Sequence, residues 1–151
     1  MAYIPPKLNN LREMLEMIVG PSAGAKDADK IDAAQISHTA IYIDKENNPV
    51  ASCSCDMKAA AALGCSLSMI PPAGAEGMVD DGELSANAKD NLYEVMNMFS
   101  SLMMDDKSSH LKLSEVSSGA DSSVAGETVK EVCFSLELGA YGGGTIVFNA
   151  A

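Results

Sequence analysis

Apolar residues recur between residues 80 and 104 at steps of three and four: Leu84, Ala88, Leu92, Val95, Phe99 and Leu102. This is the spacing of one face of an α-helix. It predicts a long helix from about Asp80 to Met104. Each residue advances about 100° around a helix axis, so all six fall within about 40° of Ala88 and form a stripe that must be buried. Asn97 falls almost opposite that stripe. Asp90, Glu94 and Ser101 lie within about 60° of Asn97 on the outer face. Glu94 and Asn97 are three apart, so their side chains stand next to each other on the exposed ridge.

The same reading places the other elements. Leu8, Leu11, Leu15 and Ile18 give a first helix over Pro6–Val19, stopped by Gly20-Pro21. Ser22–Asp32 is small and polar and reads as a loop. Ile36–Ile43 is rich in β-formers and Val50–Cys55 alternates, with the turn cluster Lys45–Pro49 between them, so a hairpin is expected. Asp56 stands at an N-cap position ahead of an Ala-rich helix, Met57–Met69, which Pro71-Pro72 ends. Ala73–Val79 reads as a Gly-containing linker. Leu111, Leu113 and Val116 suggest a short strand, and Ser117–Glu127 a polar loop. Val132, Phe134, Leu136 and Leu138 alternate as a strand, turn at Ala140–Gly144, and return over Thr145–Asn149 as a second hairpin. Helices mixed with antiparallel strands in this order predict an α+β fold, an antiparallel-rich sheet with helices packed on it, over a single domain of residues 1–151.

Composition changes the picture in three ways. Hydrophobic residues make up 47% and charged residues 21% of 151, which is globular and not disordered. Ten Met and no Trp mean that small and flexible apolar side chains fill the core. The net charge of −11 repels phosphates and anionic lipids, which argues against nucleic-acid and membrane-surface partners and favours a basic or mixed-charge protein. No apolar run reaches the length of about 18 residues that a membrane span needs, and Met1–Lys7 does not read as a secretory signal. A cytoplasmic location is the expectation.

Several chemical patterns are weaker than they look. Cys53, Cys55, Cys65 and Cys133 are too few for a disulfide framework and lack zinc-ligand spacing with His38 or His110, so they read as buried small hydrophobes. Gly142-Gly143-Gly144 lacks the Gly-Lys-Ser/Thr ending of a phosphate loop and reads as a hairpin turn. No Ser–His–Asp order suggests a hydrolase triad. The exposed acid and amide on the long helix would ordinarily be a solvated face. Two details argue for more. Asn is a poor mid-helix residue because its side chain competes for backbone hydrogen bonds. Tyr93, Met98 and Met104 also lie on or beside the outer face, as on a surface meant to be covered.

The run Glu83 to Met98, containing Glu94-Val95-Met96-Asn97-Met98, resembles the motif helix of the CheC/CheX/FliY family of response-regulator phosphatases, which carries Glu-x-x-Asn. The first helix, the hairpin around Asn48, the Ala-rich helix and the closing hairpin follow in the order found in CheX. The resemblance implies a chemotaxis-type protein of two-component signalling that hydrolyses the aspartyl-phosphate of a CheY-like receiver domain. It assigns Asn97 to positioning the attacking water and Glu94 to an ion pair with the receiver's active-site lysine. The Mg²⁺ would be the receiver's, so no metal or cofactor of the chain's own is expected. One motif per chain is the CheX arrangement, which implies a homodimer. Met96 stands where the family has a small residue, and Ser100 and Ser101 where it has a Gly; no Pro precedes Gly119. These departures define the alternative, a non-catalytic CheC-like module that binds a receiver domain or another signalling partner.

Overall fold

The computed structural model describes residues 3–104, 110–124 and 128–151. Among them the chain forms four α-helices and one six-stranded sheet: α1 (Leu8–Ile18), β1 (Ala23–Asp27), β2 (His38–Ile43), β3 (Pro49–Cys55), α2 (Met57–Ser66), α3 (Pro72–Asp81), α4 (Ala86–Phe99), β4 (Lys112–Ser118), β5 (Lys130–Leu138) and β6 (Gly143–Ala150). The sheet order is β1-β5-β6-β3-β2-β4, and every neighbouring pair is antiparallel. Both expected hairpins, β2–β3 and β5–β6, are present, and the β3–β6 pair joins them at the centre. The fold is α+β, an antiparallel sheet with helices packed on it.

Alternation puts Ala40 and Tyr42, Ala51, Cys53 and Cys55, Ile146 and Phe148, and Phe134 and Leu136 on one face of the sheet. All are buried, and they share one core with Leu11 and Leu15 of α1, the alanines of α2 and the inner stripe of α4. Phe148 sits edge-on to both Phe99 and Phe134. With so few aromatics, the core is filled by close backbone approach. A Cβ on Gly64 of α2 would lie 2.6 Å from the Ala88 carbonyl oxygen of α4, and one on Gly144 of β6 would run into the Ala59 backbone. The three consecutive glycines are therefore a packing and turn device: Gly142 takes a positive φ of 80° and Gly144 lets α2 lie against the sheet.

Five expectations need correction. Residues 22–32 are not all loop, because Ala23–Asp27 pairs with β5 as an edge strand. That strand lacks β-branched residues; burial of Ala23 and Ala25 and pairing with a strong neighbour override propensity. Residues 73–79 are not a linker. Pro72 occupies the first turn of α3, where its missing N–H costs nothing, so the Pro pair starts a helix. The Ala-rich helix stops at Ser66, ahead of the expected Met69. The long helix from Asp80 to Met104 is divided. Asp80 and Asp81 close α3, Gly82 caps it with φ 69°, and Ser85 starts α4 by accepting a hydrogen bond from the Ala88 N–H. Beyond Phe99 the chain tightens into a 3-10 turn, Ser100–Met103. The strand β4 also runs on into the expected polar loop as far as Ser118; residues 125–127 of that loop lie outside the described residues.

Candidate functional site

Helix α4 is held on three sides. Ala88, Leu92, Val95, Met96 and Phe99 are buried beneath it. From the sheet, the Tyr42 hydroxyl donates to the Met96 carbonyl oxygen at 2.5 Å. From α2, the Gly64 carbonyl and Ser68 Oγ receive the Asn91 amide at 2.8 and 2.6 Å. The remaining side faces solvent, and there stand Asp90, Tyr93, Glu94 and Asn97, all exposed.

Glu94 and Asn97 make no side-chain hydrogen bond or ion pair with any described residue. The nearest cation along the helix, Lys89, is turned back to Glu83 at 3.7 Å. An acid and an amide are thus presented side by side, one helical turn apart, on a helix whose inner side is fixed. The Asn97 backbone carbonyl is engaged at the helix end. It accepts the Ser100 N–H and the Ser100 hydroxyl, the latter at 2.7 Å, while the Ser101 hydroxyl caps the Met98 carbonyl at 3.0 Å. Ser100 and Ser101 therefore finish the helix and leave the Asn97 side-chain amide free to face outward. Met96 is 0% exposed and does not reach the outer face. Its bulk is taken up in the core beside Tyr42.

A cleft of about 270 Å³ flanks α4 toward β2 and β4, with His38, Lys89, Asp90, Tyr93 and Val116 among its walls. His38 Nδ1 lies 2.8 Å from the Ser37 hydroxyl. Burial, and then the Lys89 charge, hold its imidazole below the usual histidine range. His110 is exposed and takes no part. All four cysteines are free and buried. Burial pushes the Cys53 and Cys55 thiols well up, reinforced at Cys53 by Cys55 and at Cys55 by Asp56. They are packing groups, not nucleophiles or ligands. Among the described residues no group of three His, Cys, Asp or Glu converges on a point where a metal could sit, and no helix is long and apolar enough to cross a membrane.

An antiparallel sheet layered with helices defines the fold class, and one of those helices shows an acid and an amide to solvent. No family model matches the chain, and no curated protein matches it. Solved structures do match it in fold. FliY of Thermotoga maritima aligns over 93% of this chain and 81% of its own at 13% identity, with a TM-score of 0.55. The CheX–CheY–BeF3–Mg complex of Borrelia burgdorferi aligns over 91% of this chain and 90% of that one at 12% identity, TM-score 0.53. The FliG–FliM complex of H. pylori aligns over 95% and 85% at 10% identity, TM-score 0.54. The chain has the CheC/CheX/FliY fold, shared with the FliM middle domain.

Sequence reasoning missed Asn91 and Ser68, which join the end of α2 to a flank of α4. Asn91 is legible in retrospect, as a second poor helix former on a flank of the same helix.

Proposed function

We propose that this protein docks α4 against a CheY-like receiver domain and hydrolyses its aspartyl-phosphate. One observation carries the reading: Glu94 and Asn97 are exposed, adjacent and unpaired on a helix of the CheC/CheX/FliY fold. Glu94 pairs with a lysine of the receiver across the interface. Asn97 then reaches the phosphoryl group and orients a water in line with the bond to the aspartate. The water oxygen forms a new bond to phosphorus. The bond to the aspartyl oxygen breaks and its electron pair leaves with the carboxylate. The proton shed by the water goes to the phosphate and solvent. Such a reaction needs positioning more than covalent help, and an amide positions a water without titrating. The Mg²⁺ that offsets the phosphoryl charge belongs to the receiver. A net charge of −11 suits a partner that offers a cation.

The test is phosphate release from a panel of phosphorylated receivers. The wild type accelerates release from at least one. Asn97→Ala drops the rate by about 10²-fold, the scale on which loss of a positioned reactant is felt. Glu94→Ala raises KM, and the effect shrinks with added salt. Equal release by wild type and Asn97→Ala would end the proposal.

The non-catalytic reading draws on a different observation, the likeness to FliM in its complex with FliG. It predicts partner binding that leaves the phospho-receiver lifetime unchanged.

A further inference from the structure

Helix α2 ends in an unusual way. The Ile70 N–H donates to the Cys65 carbonyl at 2.9 Å and the Met69 N–H to the Ser66 carbonyl at 3.3 Å. This pair of bonds is the Schellman closure, which puts the residue between helix and exit in the left-handed region. Helix α3 closes with the same two bonds, Glu83 to Met78 and Gly82 to Val79, and there the left-handed residue is glycine. In α2 it is Met69, with φ 60°. A side chain with a Cβ is strained there, and only Gly, Asn and Asp visit the region readily. Asn47, the other non-glycine residue with positive φ among the described residues, is of that tolerant kind.

Packing does not explain the choice. Met69 is 84% exposed, more than any other large apolar side chain among the described residues. It belongs neither to the core nor to the partly buried side chains that pack on it. A strained backbone that carries an exposed thioether is unfavourable on both counts in the free protein. Its position gives it a use. Ser68, one residue earlier, is bonded to Asn91, and Asn91 lies one helical turn before Glu94 on α4. The α2 terminus is thereby tied beside the turn that leads into the acid–amide pair, and Met98 and Tyr93, the latter 41% exposed, border the same face.

We infer that Met69 is the apolar anchor of the docking face, held out by the left-handed turn to enter an apolar depression on the receiver beside the lysine that Glu94 meets. This rests on the proposed receiver-docking function and names the second contact that fixes register. Charge alone gives a partner no unique orientation on a helix face; a flexible, polarisable side chain at a fixed offset does.

The experiment titrates wild type, Met69→Gly and Met69→Asn with a receiver loaded with beryllofluoride and Mg²⁺, and melts all three proteins. Both substitutions tolerate positive φ, so both variants keep or exceed the wild-type Tm. Both weaken Kd by about fivefold or more, the scale of a moderate interface anchor, and in the phosphatase assay raise KM while sparing kcat. Unchanged Kd with Tm kept overturns the anchor, and the proposed function stands if Asn97→Ala still abolishes phosphate release. Weakened Kd beside an Asn97→Ala variant that releases phosphate normally overturns the catalytic reading and leaves the anchor. If no receiver of the panel binds, both fall.

Discussion

Tyr42 and Asn97 act on neighbouring residues of α4 from opposite sides. The Tyr42 hydroxyl reaches the Met96 carbonyl from the sheet, and the Asn97 side chain leaves toward solvent from the next residue. Tyr42→Phe removes the buried hydrogen bond to the Met96 carbonyl and should cost about 1–3 kcal/mol in urea unfolding, because the Ser100 N–H turns to the Asn97 carbonyl and does not replace the lost donor. Asn97→Ala should leave stability within about 0.5 kcal/mol, as exposed substitutions do. Two pH effects belong to this scale. His38 is held below the usual range, so below about pH 6.5 the unfolded chain binds a proton that the folded one resists, and stability falls as pH drops. His38→Gln should flatten Tm across that window. Cys53 and Cys55 behave in the opposite sense. Their thiols stay protonated in the fold, so stability falls as pH rises past about 9, where unfolded thiols ionise. A thiol reagent at neutral pH should label neither residue until the protein unfolds.

Elements were less legible than residues. The outward direction of Glu94 and Asn97 follows from counting in steps of about 100°, which holds for any helix containing both. The ends of that helix do not follow from the stripe. Leu84 is buried in register with it although it lies outside α4, since a chain turning at Gly82 and capped at Ser85 still points Leu84 inward. Strand β1 was unreadable because Ala-Gly-Ala-Lys-Asp has no strand signature of its own, and only its partner makes it one. Helix α3 was hidden by Gly74 and Gly77 and by a Pro pair that reads as a stop but starts the helix. The α2–α4 contact offers a sharp check. Gly64→Ala drives a methyl against the Ala88 backbone carbonyl and should cost about 1–3 kcal/mol. Because that contact also seats Asn91, the variant should lose docking affinity at temperatures where it remains folded.

At the scale of the whole molecule, the order of helices and hairpins carried the fold, and the arrangement of the six strands did not show in it. The two hairpins are far apart in sequence and meet through β3 and β6, a pairing that no local pattern announces. The core they enclose is aromatic-poor and depends on glycine and alanine at contact points, which bring α2 close to both α4 and β6. Met96 illustrates the gain from seeing the whole. On the sequence it departs from the pattern of the resembled motif; in the fold it is core, and the face proposed to meet a partner is made by Glu94, Asn97, Tyr93 and the end of α2.

If Asn97 positions a water for attack on a partner's aspartyl-phosphate, its side chain sets how long that phosphate lasts. The most direct measurement is the lifetime of a phosphorylated receiver, alone, with wild type, and with Asn97→Ala at matched Tm. The wild type should shorten the lifetime, and Asn97→Ala should restore it to that of the receiver alone. A lifetime that wild type and variant shorten equally, or that the wild type binds without shortening, would contradict that role.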